Sequence, residues 1–120
     1  MEIAIHEQDG VIICRFTGEV RFEDMMESWR QLFAKYPNLQ DYKGILATLL
    51  DAQIMKHEAE NLNMMVDLLK EHLEELKDLR IAIVTDTPMV TNTIIVGRRV
   101  KSLQIRPFST VDAAMRWINI

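Results

Sequence analysis

The sequence predicts a single α/β domain on a mixed, mostly parallel five-stranded sheet, and three observations lead there. An Asp-Gly turn, Asp9-Gly10, separates two runs rich in Ile and Val, so the chain opens as a β-hairpin. Two later apolar runs, 44–50 and 81–85, lack polar alternation, as strands covered on both faces do. The segments between and after them repeat apolar residues every three or four positions, the period of an amphipathic helix. The predicted order is β-β-α-β-α-β-α-β-α, with four helices, right-handed crossovers and one antiparallel edge from the hairpin.

Residues 2–7 and 11–17 form the hairpin around Gln8-Asp9-Gly10, and Gly18 ends the second strand. Phe22, Met25, Met26, Trp29, Leu32, Phe33 and Tyr36 then line one face of a helix over 22–36, which Pro37-Asn38 stops. The run 44–50 is the third strand, closed by Asp51. From about Lys56 to Leu79 a long helix carries Leu62, Met65, Val66, Leu69, Leu73 and Leu76 inward and a charged face outward. Arg80 introduces the strand 81–85. Thr87-Pro88 reads as an N-cap with proline at the first helical position, and Gly97 stands where a C-terminal glycine cap belongs. The weak run 103–108, broken by Pro107, suits a sheet edge. Ser109-Thr110-Val111-Asp112 has the form of a capping box for a last helix that turns Val111, Ala114, Met115 and Ile118 inward.

Composition narrows the class. With 120 residues, 48% hydrophobic and 27% charged, and no repeat or linker, residues 1–120 make one domain able to bury its own core. The single Cys14 excludes an intrachain disulfide and suggests a reducing compartment. No apolar run approaches the roughly 20 residues of a membrane span, and Glu2, His6 and Glu7 interrupt any signal-like stretch. A cytoplasmic protein without stable membrane insertion is the expectation. Net charge is -4, divided as sixteen acidic against eight basic residues over 1–79 and two against six over 80–120. That basic excess is too thin for a nucleic-acid footprint.

Reactive constellations are missing from the pattern. Cys14 lies within an apolar strand, where a packed thiol is inert. His57-Glu58 begins like a zinc-protease helix, but Asn61 stands where the second His belongs; no metal is expected. Gly10, Gly18, Gly44 and Gly97 stand apart, so no phosphate loop and no dinucleotide cofactor is implied. Eight methionines fall mostly on or beside the core stripes, as core filling or as the lining of a pocket for an apolar ligand. Polar groups gather at one rim, the carboxyl ends of the strands. There Asp51 and Gln53 leave one strand while Thr85, Asp86, Thr87 and Thr91 follow another into a helix N-terminus. These six are the candidate ligand- or partner-binding residues, although Asp86 would repel an anion.

The whole chain resembles the STAS-like domains, and within them the SpoIIAA-like branch related to anti-sigma-factor antagonists and grouped with CRAL-TRIO lipid-binding domains. Carrying the resemblance are Phe16-Thr17-Gly18-Glu19-Val20 ahead of a helix, Leu49-Leu50-Asp51, the strand Ile81 to Asp86, and Arg106-Pro107-Phe108-Ser109-Thr110-Val111-Asp112 with the following Ala113-Ala114-Met115-Arg116-Trp117-Ile118. The switchable antagonists carry Asp-Ser-Ser-Gly at the start of the second helix, where a serine is phosphorylated. The counterpart here, Ala59-Glu60-Asn61-Leu62, has no hydroxyl, and serine occurs only at Ser28, Ser102 and Ser109. The resemblance, with no catalytic constellation in the sequence, implies a non-enzymatic regulatory domain that works through its helical faces on a protein partner or on itself. The alternative it leaves is a carrier or sensor of a small apolar or anionic ligand.

Overall fold

Apolar runs rich in β-branched residues build the sheet, which the computed structural model shows for a chain described over residues 2–55, 59–86 and 89–120. Strands β1 (Glu2–Gln8), β2 (Val11–Val20), β3 (Gly44–Ile54), β4 (Arg80–Val84) and β5 (Gln104–Phe108) lie side by side in chain order. β1 runs antiparallel to β2, and all other neighbours are parallel. Asp9 and Gly10 take φ of 53° and 80°, the two left-handed residues of a type I′ turn, whose twist matches that of the strands it joins. Helices α1 (Phe22–Lys35), α2 (Ala59–Glu71), α3 (Leu73–Leu76), α4 (Met89–Arg99) and α5 (Val111–Ile118) complete the domain, with a 3-10 turn at Leu39–Asp41.

Two cores explain why the central strands lack alternation. Ile12, Cys14, Phe16, Ile45, Leu49 and Ile81 turn to one face and pack with Leu32 of α1, Leu69 of α2 and Val96 of α4. Val11, Leu46, Ala82 and Val84 turn to the other and meet Ala114 and Ile118 of α5. Partway along, the register slips. Arg15 lies opposite Thr48 but Thr17 lies opposite Asp51, so β3 holds one residue more than β2 in that interval. A bulge of this kind reverses the inward set. Ile45 and Leu49 face the larger core before it, Ala52 and Ile54 after it. Asp51, which simple alternation would set beside Leu49, is thereby turned to the side of Arg15.

Several predicted boundaries move. β2 continues past Gly18 to Val20, and β3 runs through Asp51 to Ile54 rather than closing there. The two strands support each other: the Val20 carbonyl still accepts the Met55 amide at 2.9 Å. The expected single helix to Leu79 is instead α2 and the one-turn α3, parted at His72 with φ -103° and ψ 16°. Breaking there lets the chain bury Leu76 and Leu79 fully and enter β4 directly. Lys56, His57 and Glu58, like the Thr87-Pro88 cap, lie outside the described residues.

Gly97 is no cap but an interior residue of α4, where a Cβ would stand 3.2 Å from Ile105 Cγ2; the glycine lets α4 lie close on β5. The cap of α5 is Thr110, not Ser109. Its Oγ1 accepts the Ala113 amide at 3.2 Å, which places Asp112 in the first turn. Val111 is 41% exposed rather than inward, and Ala114 and Ile118 carry the contact. Arg21, an unusual N-cap, is compensated by Asp24, whose Oδ2 accepts the Arg21 amide at 2.9 Å.

Candidate functional site

The bulge in β3 and the early stop of β4 divide the predicted polar rim in two. β4 ends at Val84, opposite Thr48, whereas β3 continues to Ile54. At the usual rise of a strand, Asp51 and Gln53 therefore stand roughly 10 and 16 Å beyond the level of Val84. Asp51 Oδ2 accepts from Arg15 Nη2 at 2.7 Å, with both side chains 58% exposed. Water screens such a pair, which holds the two chains in place more than it stabilises them. Gln53 is exposed and pairs in register with Glu19. Arg15, Thr17, Glu19, Asp51 and Gln53 thus form one polar strip across two strands.

The second part sits where β4 passes toward α4. Thr85 is 2% exposed, and its amide donates to the Phe108 carbonyl at 2.9 Å, fastening β4 to the end of β5. Asp86 follows in solvent, and Thr91 is exposed in the first turn of α4. Thr87 lies outside the described residues. Among the described residues, no group of three His, Cys, Asp or Glu side chains is placed to hold a metal ion. No described helix is long and apolar enough to cross a membrane.

Sequence reasoning raised a pocket only as a reading of the methionines, and the structure supplies one in a definite place. A cavity of about 90 Å³ lies between the sheet and the three helices α1, α2 and α4. Cys14, Phe16, Ile45, Ala47 and Leu49 form its sheet wall; Met25 and Trp29 come from α1, Leu62, Met65 and Leu69 from α2, and Thr93 and Val96 from α4. Ser28, also in the lining, donates its hydroxyl to the Met25 carbonyl at 2.6 Å, within its own helix. Apart from Ser28, Asn92 and Thr93 the wall is apolar and offers water few partners, so the space favours an apolar occupant. Met25 and Met65 belong to the lining, whereas Met55 and Met64 are 43% and 54% exposed. The useful signal in the sequence was the inward methionines alone, at helical spacing from the leucines.

Burial pushes the Cys14 thiol up to about 12, against the smaller opposing pull of the Lys35 charge. Near neutral pH the group is therefore a protonated, packed thiol rather than a nucleophile. In native protein, a disulfide reagent at pH 8 is expected to modify Cys14 orders of magnitude more slowly than in urea. Equal rates in both states would show that the cavity opens freely to solvent.

The comparisons with known proteins bear on this same architecture. A family model described as SpoIIAA-like matches residues 11–119, from the first residue of β2 to the residue after α5. The chain belongs to the SpoIIAA-like family. Solved structures share the fold at low identity. The anti-sigma factor antagonist SpoIIAA in its unphosphorylated form aligns with TM-score 0.62 and 11% identity, covering 98% of each chain. An anti-sigma factor antagonist from Mycobacterium paratuberculosis gives TM-score 0.62 and 15% identity over 99% of this chain and 94% of its own. A Shewanella loihica protein with a SpoIIAA-like fold gives 0.59 and 16% over 98% and 92%. No curated protein sequence matches.

Ala59-Glu60-Asn61-Leu62 forms the first turn of α2. The three serines lie elsewhere: Ser28 is buried in α1, and Ser102 and Ser109 are exposed on either side of β5.

Proposed function

We propose that this SpoIIAA-like chain is a non-enzymatic regulatory domain that docks a protein partner on the carboxyl rim of its sheet. One observation carries the reading, the match to the SpoIIAA-like family over residues 11–119, whose fold is shared with anti-sigma factor antagonists. The exposed members of the two parts of the rim, Asp51 and Gln53 on one and Asp86 and Thr91 on the other, supply its polar contacts, and Thr85 fastens the second part to the end of β5. Because the first turn of α2 offers no hydroxyl, partner release does not depend on phosphorylation at 59–62.

Charge reversal tests the surface. The Asp51→Lys, Asp86→Lys double variant is expected to keep its fold and to lose at least about tenfold in affinity for a partner captured by the unaltered chain. Glu23→Lys on α1 serves as the control. Equal retention of the partner by the rim variant and the control would move the docking surface elsewhere.

The cavity favours a second reading, in which a small apolar molecule occupies the space between helices and sheet and stabilises the partner-binding form. Native mass spectrometry is expected to show an added mass that denaturation removes. Ala47→Leu, which fills part of the cavity, is expected to abolish that mass while raising stability by about 1 kcal/mol. A clean apo mass, together with no stabilisation on adding small hydrocarbons, would discard this reading.

A further inference from the structure

The outer edge of β1 presents a self-complementary set of backbone groups. Across the type I′ turn, Gln8 and Val11 form a hydrogen-bonded pair, and alternation then commits Glu2, Ala4, His6 and Gln8 to the ladder with β2. Ile3, Ile5 and Glu7 consequently direct both N–H and C=O away from the sheet. Lys35 of α1 confirms that geometry, since its Nζ donates to the Ile5 carbonyl at 3.0 Å. Among the described residues, the outward backbone groups of Ile3 and Glu7 have no partner. Alongside runs an open groove lined by Ile3, Ile5 and by Gln31, Ala34 and Lys35 of α1.

We propose that a second copy of this chain docks on this edge, β1 antiparallel to β1, with the two-fold axis at Ile5. The edge's own residues select that occupant. Only the register centred on Ile5 pairs all three outward residues of each copy, Ile3 with Glu7, Ile5 with Ile5 and Glu7 with Ile3. In it Ala4 faces His6 and Glu2 faces Gln8, so no like charges oppose one another. A register centred on Glu7 would set two carboxylates face to face. Charge also favours the Ile5 register across the seam. The Lys35 ammonium, displaced from the Ile5 carbonyl, meets Glu7 of the second copy on the face shared by α1, Ile3 and Ile5. Lysine at a strand edge is a common guard against pairing. Here it makes association weak and concentration-dependent, a gate instead of a bar.

Sedimentation over roughly 10 μM to 1 mM is expected to show a monomer passing into a dimer. Glu7→Pro removes an outward N–H and leaves the β1–β2 ladder intact, so its circular dichroism and melting should match the parent. Its dimer Kd is expected to rise at least about tenfold. Register is read by mixing Ala4→Cys with His6→Cys. Their Cα atoms would lie about 4.5 Å apart in the pair, within disulfide reach. Mild oxidation should link the mixture and neither variant alone. A parent chain that stays monomeric throughout overturns the proposal, as does undiminished association of Glu7→Pro or cross-linking of either cysteine variant with itself. Dimer formation leaves the rim exposed, so its failure and that of the partner reading are separately visible.

Discussion

Replacing Gly44 with alanine is expected to lower stability by about 3 kcal/mol or more, a large part of what holds a domain of this size folded. Gly44 begins β3 and pairs with Arg80 of β4. A Cβ there would stand 2.2 Å from the Arg80 carbonyl oxygen, 3.2 Å from its carbon and 2.9 Å from Ile118 Cγ2. Neither neighbour can yield cheaply. The Arg80 backbone is fastened to the Lys43 carbonyl at 3.3 Å, and its guanidinium donates to the Trp117 carbonyl at 2.6 Å. Ile118, the last residue of α5, is buried in the smaller core. Relief requires parting β3 from β4 or lifting α5 off the sheet, which costs packing on both faces at once. Urea unfolding followed by circular dichroism measures the loss, and a change under about 1 kcal/mol would show that this end of the sheet yields easily.

Gly97→Ala is the instructive contrast. Its Cβ would meet the end of the Ile105 side chain at 3.2 Å and the Ile105 carbonyl at 3.4 Å. Alanine gains up to about 1 kcal/mol of helix propensity inside α4, which offsets a small side-chain adjustment. Near-neutral stability is expected.

The second large effect is expected at Leu69, where alanine should cost about 3–5 kcal/mol. Leu69 is 1% exposed and already borders the cavity. Truncation joins the vacated volume to the existing space, so α2 cannot collapse onto a filled wall, and this places the loss toward the upper end of the range. Added benzene should return part of the stability by occupying the enlarged cavity. A loss near 1 kcal/mol, with no response to benzene, would show that α2 closes the gap by moving inward.

Much of the fold was legible because hydrophobic burial is a local demand repeated along the chain. The Asp9-Gly10 turn, the stripe of α1, the covered runs of β3 and β4 and the edge position of the Pro107 strand all follow from residue spacing and backbone preference. The errors have local causes too. Leu73 and Leu76 continue the stripe of α2 in perfect phase, yet the chain breaks at His72 because entry into β4 must bury Leu76 and Leu79 from another direction. Gly97 looked like a helix end because a glycine that makes room for β5 and one that caps a helix are the same letter.

The candidate site was less legible. Thr85 is polar in the sequence, yet its position after β4 closes it against Phe108. Asp51 and Gln53 fall at the right end of the sheet, but the extra residue of β3 turns them toward Arg15 and away from the start of α4. No residue spacing announces that bulge, since it exists only as a mismatch between two strands distant in sequence.

What the sequence determined by itself is the alternation of strands and helices, the apolar faces they bury and the absence of a hydroxyl at 59–62. Those are properties of residues and their near neighbours, where spacing and backbone preference act. Only the tertiary structure decided which face Asp51 serves, where the apolar cavity lies and which backbone groups of β1 stay unpaired. Each of these depends on registers and contacts between segments far apart in the chain, which are settled when the whole core packs at once.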